Sequence, residues 1–171
     1  MAITRGENVM NIEKLLDMQE KLDQHIEEEH GLRNADLIEK KILALLVEVG
    51  ELANETRSFK FWSKKSPSSK EVILEEFVDG IHFILSLGLE IGIQQFDLGE
   101  TNYANEDVTK QFLEVFKSAN HFAEERSVEH FQQLFKHYVY LGELLGFSHE
   151  EVFDAYVKKN EVNYNRQKEG Y

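Results

Sequence analysis

Apolar residues recur at intervals of three and four along most of the chain, the spacing that lays them on one face of a helix. Ile12, Leu15, Leu16, Met18, Leu22 and Ile26 predict a first helix from about Asn11 to His30, with Gly31 as its stop. A second is expected from Asp36 to about Phe59, opened by Asp36 and Glu39 at the spacing of a capping box. The loop Trp62-Ser63-Lys64-Lys65-Ser66-Pro67-Ser68 follows, and Ser68 with Glu71 reads as the cap of a third helix reaching about Ile93. Val72, Ile73, Phe77, Val78, Ile81, Phe83, Ile84, Leu85 and Leu87 make that helix apolar nearly all round, which marks it as central. Residues 94–105 read as a polar connection. Val108, Phe112, Val115, Phe116, Ala119 and Phe122 predict a fourth helix, and Phe131, Leu134, Phe135, Tyr138 and Leu145 a fifth between Ser127 and Gly146. Ser148 and Glu151 cap a last helix carrying Val152, Phe153, Tyr156 and Val157. The expected fold class is all-α, a helical bundle with four core helices plus extra helices. Residues 1–10 are expected to be unstructured and residues 11–171 to form one domain. By composition alone, Lys158 to Tyr171 would be a frayed tail.

Acids interrupt this pattern at its most hydrophobic places. Glu48 and Glu51 break the run Ile42-Leu43-Ala44-Leu45-Leu46-Val47, and Glu76 and Asp79 break Val72 to Ile93. Buried carboxylates cost several kcal/mol each unless positive charge meets them. Two E-x-x-E-like pairs, each on one helix face, suit a hard divalent cation such as Mg²⁺. The alternative is that all four point to solvent with Glu55 and Glu75; pairs such as Asp17/Glu20 and Glu151/Asp154 do arise in an acidic chain. Mg²⁺ held by carboxylates commonly neutralises phosphates and activates water. Lys60, Lys64 and Lys65 after the second helix, and Lys158, Lys159 and Arg166 in the tail, offer cations for such a site. Trp62 suits stacking on a flat ligand or a lid over the core. His82 suits a polarising role or a bonded core position. Gly50 and Gly80, inside helices, suggest close helix approach near the acids.

With 171 residues, 42% hydrophobic and 30% charged, the chain supports one soluble domain with a real core. It has no cysteine, which removes disulfides, zinc thiolates and a thiol nucleophile and fits a reducing cytosol. No segment reads as a signal peptide or membrane span, so a cytoplasmic protein without membrane partners is expected. The net charge of −13 argues against nucleic-acid binding.

Three stretches carry a family resemblance. They are Glu48-Val-Gly-Glu51-Leu-Ala-Asn-Glu55, Phe59-Lys-Phe-Trp62-Ser, and Glu75-Glu76-Phe-Val-Asp79-Gly-Ile-His82-Phe83. With the tail Lys159-Asn160…Asn163…Arg166-Gln167…Gly170-Tyr171 and the first-helix segment Met18 to Asp23, they resemble the dimeric all-α dUTPases. These belong to the MazG-like all-α nucleoside triphosphate pyrophosphohydrolases. The resemblance covers most of residues 11–98 and 148–171; residues 99–147 carry no matching motif.

The resemblance implies Mg²⁺-dependent hydrolysis of dUTP, with dUDP left open, to dUMP and pyrophosphate by a homodimer. Glu48, Glu51, Glu76 and Asp79 match its metal ligands, with Glu48 also orienting or deprotonating the attacking water. Lys64, Lys159 and Arg166 would hold phosphates. Phe83 and Trp62 would flank uracil. Asn160 and Asn163 would bind base or sugar with Tyr156 nearby, and Gln19 and Asp23 would read the uracil edge. Some relatives carry Asn where Asp23 stands; an acid there accepts from N3–H but cannot donate to a carbonyl. The remaining readings are a MazG-like pyrophosphohydrolase for another dNTP and a non-catalytic helical interaction protein.

Overall fold

A computed structural model describes residues 10–99 and 106–170. Among them the order is α1 (Ile12–Glu29), α2 (Ile38–Thr56), α3 (Lys70–Glu90), α4 (Val108–Glu124), α5 (Val128–Leu144) and α6 (His149–Lys168), with no strand. The expected all-α class and the central third helix are both found. Helix α3 packs against α1, α2, α5 and α6, while α4 pairs with α5 and leans on α2. Its Phe77, Val78, Ile81, Ile84, Leu85 and Leu87 are all buried, which explains why it shows almost no polar stripe. The polar connection predicted before α4 lies partly outside the described residues, as do residues 1–9 and Tyr171.

Aromatic rings join α3 to α5. Phe77 stacks on Tyr138 at 4.6 Å, and its ring packs where Gly142 has no side chain. Of the two glycines expected to permit close approach, Gly80 faces Tyr138, whereas Gly50 is exposed and has no neighbour where a Cβ would stand.

Several boundaries differ from the sequence expectation. Helix α2 starts after Leu37 without a side-chain cap; Asp36 accepts from Ile38 N at 3.2 Å and no box with Glu39 forms. It ends at Thr56 rather than Phe59, because Arg57 turns left-handed at φ 58°. The cap of α3 is Ser69, whose hydroxyl accepts from Val72 N; Ser68 instead donates to Glu55. That helix stops at Glu90 rather than Ile93. Met10, placed by sequence in an unstructured N-terminus, is buried in the core. The capping box of Ser148 and Glu151 is present as expected. The tail that composition alone would leave frayed continues α6 to Lys168. Its far end is tied to α1, with His30 Nε2 and Gln167 Oε1 at 2.8 Å.

Candidate active site

Helices α2 and α3 carry the acids. Glu48, Glu76 and Asp79 each place a carboxylate oxygen within 4.8 Å of the others, all half-buried. Glu51 is exposed one turn further along α2, outside this trio but close enough to raise the pKa of Glu48 and Glu76. Burial comes first in pushing Glu48 up to about 7, followed by repulsion from Asp79, Glu51 and Glu76. Burial and neighbouring acids also raise Glu76 and Asp79. Burial first, and then the like charges of close neighbours, disfavour the ionised form of each acid.

Positive charge enters this field from α6. Lys159 Nζ lies 2.9 Å from Asp79 Oδ2 and 3.0 Å from Glu75 Oε1. Burial opposes the charge on Lys159, but the two pairs outweigh it and its pKa rises. Asp79 also shifts up: its burial outweighs Lys159 and Arg166, which both act to lower it. Lys159 and Arg166 together therefore leave burial dominant at Asp79.

Beside the acids, between α1, α2, α3 and α6, is a cavity of about 180 Å³. Phe83, Leu22 and Ile26 form apolar wall, while Gln19, Asp23, Lys41, Ser86 and Asn163 supply polar groups; Asp79 and His82 join it to the acids. Its size and few convergent polar groups suit a small flat ligand. A larger, more open cleft of about 360 Å³ lies between the starts of α1 and α6, lined by Met10, Lys14, His149 and Phe153, and none of the acid trio reaches it.

The cavity's polar groups are held from behind. Gln19 Nε2 donates to Asp23 Oδ1 at 2.8 Å, and Ser86 Oγ donates to Asp23 Oδ2 at 2.6 Å. Gln19 Oε1 accepts from the Tyr156 hydroxyl at 2.8 Å and lies 2.7 Å from His82 Nδ1. Asp23 is acceptor-only when ionised, so the Gln19 amide nitrogen must face it and His82 Nδ1 must carry the proton. Burial holds His82 neutral, with its pKa lowered to about 3. The Tyr156 ring stacks on His82 at 4.2 Å, which fixes both. The other ring nitrogen of His82, Nε2, is buried and has no hydrogen-bond partner among the described residues.

A three-acid cluster beside a base-sized cavity is the combination expected of a nucleotide hydrolase. Consistently, the family model described as dUTPase matches residues 11–171. The chain belongs to the dUTPase family. It is thus a dUTP diphosphatase, a hydrolase acting on dUTP. No curated protein matches the chain. The dUTPase match spans residues 99–147 as well, where no motif was legible.

Of the residues that the dUTPase resemblance singled out, the structure brings Gln19, Asp23, Phe83, Asn163 and Asp79 to one cavity. Glu48, Glu76 and Lys159 adjoin it through Asp79. Tyr156 is fully buried and reaches Gln19 and Leu15 O, not the cavity. Asn160 is buried toward α1, donating to Met18 O at 3.4 Å. Trp62 and Lys64 are exposed in the α2–α3 loop and do not line the cavity; Trp62 packs edge-on against Phe59 and Phe61. Three polar cavity residues, Glu27, Lys41 and Ser86, were given no role by the sequence reading. Ser86 lies one turn past His82 on α3, and Lys41 lies seven residues before Glu48 on the same face of α2, a helical spacing that could have found it.

Proposed function

We propose that this dUTPase uses Mg²⁺, held by Glu48, Glu76 and Asp79 with Glu51 at the edge, to hydrolyse dUTP to dUMP and pyrophosphate. The observation that carries this reading is the convergence of three carboxylate oxygens within 4.8 Å at the mouth of the cavity. An all-oxygen donor set with no nitrogen or sulfur suits a hard cation, and the raised pKa values mark a site short of positive charge. When bound, such an ion supplies charge against the phosphate oxygens and acidifies the water beside it.

The chain's own residues perform the rest. Uracil enters the 180 Å³ cavity against Phe83, with Gln19 and Asp23 at its polar edge and Asn163 at base or sugar. Tyr156 and His82 act from behind by fixing Gln19. The triphosphate runs toward the acids, where Lys159 exchanges its pairs with Asp79 and Glu75 for phosphate oxygens, and Arg166 adds charge from the same face of α6. Glu48 orients the attacking water and takes its proton. The bond that breaks is the anhydride between the α and β phosphates.

The protein acts as a cytoplasmic homodimer in this reading. Leu43 (64% exposed) and Val47 (49%) lie one turn apart on the outer face of α2, and Leu113 (64%) on the neighbouring α4, an apolar surface that a second copy would cover. Trp62 and Lys64 close on substrate from the α2–α3 loop. Pyrophosphate or phosphate release from a panel of dNTPs, dUDP and UTP, with Mg²⁺ and with EDTA, tests the hydrolysis. Mg²⁺-dependent turnover confined to deoxyuridine nucleotides supports it; turnover of another base, or with EDTA present, overturns it.

A further inference from the structure

The polar edge of the cavity has a defined hydrogen-bonding order. Gln19 Nε2 is fixed as a donor, because its carbonyl oxygen already faces Tyr156 and His82. One of its two N–H groups binds Asp23 Oδ1, and the other is left for a ligand. Asp23 follows as an acceptor with a lone pair to spare on each oxygen. On the far side of Asp23, beyond Oδ2, stands Lys41, its Nζ 3.9 Å from that oxygen. Lys41 is 13% exposed and lines the cavity. Its ammonium binds Glu90 and sits 3.9 Å from Glu27, which is beyond hydrogen-bond length. The acids therefore hold the lysine in place while leaving it N–H groups to donate.

We propose that Lys41 is a specificity-determining residue, the second donor of a donor–acceptor–donor array made by Gln19, Asp23 and Lys41 that selects uracil. It rests on the dUTPase reading of this cavity. Uracil presents a carbonyl, N3–H and a second carbonyl along one edge, the complement of that array in order. Cytosine presents an amino donor followed by two acceptors, and would set its N3 lone pair against the Asp23 carboxylate. Where an amide at position 23 could both donate and accept, Asp23 only accepts. Lys41 supplies the donor that the acid cannot. A site built to bond a polar edge rejects a ligand that leaves its buried groups unpaired far better than an apolar pocket rejects a change of shape.

The bland alternative is that Lys41 merely neutralises Asp23, Glu27 and Glu90. The ratio of kcat/KM for dUTP to that for dCTP separates the two when two variants that both lose the charge are compared, because the effect of that loss on Asp23, on the triphosphate and on the fold is then common to them. Lys41→Met removes the donor, and Lys41→Gln keeps a neutral one. The proposal expects the ratio to fall about tenfold or more in Lys41→Met and to stay within about threefold of wild type in Lys41→Gln. An unchanged ratio in Lys41→Met, or equal falls in both, overturns it while wild-type turnover of dUTP keeps the dUTPase reading. Wild type that prefers another base overturns both. A substrate-side test needs no variant: 2-thio-dUTP and 4-thio-dUTP each weaken one carbonyl acceptor. Lower kcat/KM for both is expected of wild type, and an analogue turned over as well as dUTP removes one donor from the array.

Discussion

A Cβ on Gly80 would meet the Tyr138 hydroxyl at 2.0 Å and its Cζ at 2.5 Å. That hydroxyl donates to Phe77 O at 2.8 Å, deep between α3 and α5. Gly80 directly follows Asp79, so this contact sets how far the acid-bearing turn of α3 stands from α5. Gly80→Ala should therefore destabilise the fold by about 1–3 kcal/mol through overpacking, despite the better helix propensity of alanine. Gly50→Ala, with open space at its Cβ, should instead stabilise by about 0.5–1 kcal/mol. Denaturant unfolding of both variants checks the pair, and equal shifts would contradict the packing.

Glu48→Gln should lower kcat by about 10²–10⁴ while leaving helicity intact. Full activity in this variant would remove Glu48 from the chemistry. Glu51→Gln should cost less, since Glu51 is exposed and outside the tight trio. Steady-state pyrophosphate release together with circular dichroism decides both.

Stability of the metal-free protein should fall as the solution becomes alkaline. Glu48 is raised from 4.5 to about 7 on folding, so its favourable contribution is complete below pH 4.5 and lost as pH rises through 7. Glu76 and Asp79 shift in the same direction. His82 acts oppositely: its lowered pKa penalises the fold as pH drops below 6.5 toward 3. Melting in EDTA should thus decline between pH 6 and pH 8, and Mg²⁺ should recover more at pH 8 than at pH 6. A Mg²⁺ effect of equal size at both pH values would count against a carboxylate site.

Tyr156→Phe should raise KM for dUTP about fivefold with a smaller effect on kcat. The ring still stacks on His82, but Gln19 Oε1 loses one of its two donors, and a typical buried hydrogen bond is worth about 1 kcal/mol. A kcat loss larger than the KM change would place Tyr156 in the chemistry rather than behind the base.

The helices were legible because their apolar period is strong, and the acids because they interrupt it. The helix ends were less so. Ser68 and Ser69 are both good caps by local chemistry, and the choice fell to Ser69 because Ser68 bonds Glu55, a partner from the preceding helix. Arg57 ends α2 in a conformation usually left to glycine, so no residue type announced it. Lys41 looked like any lysine on an amphipathic helix. Its carboxylate partners Asp23, Glu27 and Glu90 come from α1 and α3, and only packing brings them together. Tyr156 read both as part of the apolar pattern of the last helix and as a tail-motif residue, and it is buried; nothing local told that Asn160 faces inward too.

Because α6 runs unbroken to Lys168, Lys159, Asn163 and Arg166 form a comb at intervals of four and three on one rigid rod. A rod cannot absorb a change of length as a loop does. One residue inserted between Tyr156 and Lys159 would rotate everything after it by about 100°. All three teeth would then swing off the acids and the cavity together, although every side chain survived. In this stretch, selection must act on spacing as strictly as on identity, and indels should be far scarcer here than substitutions.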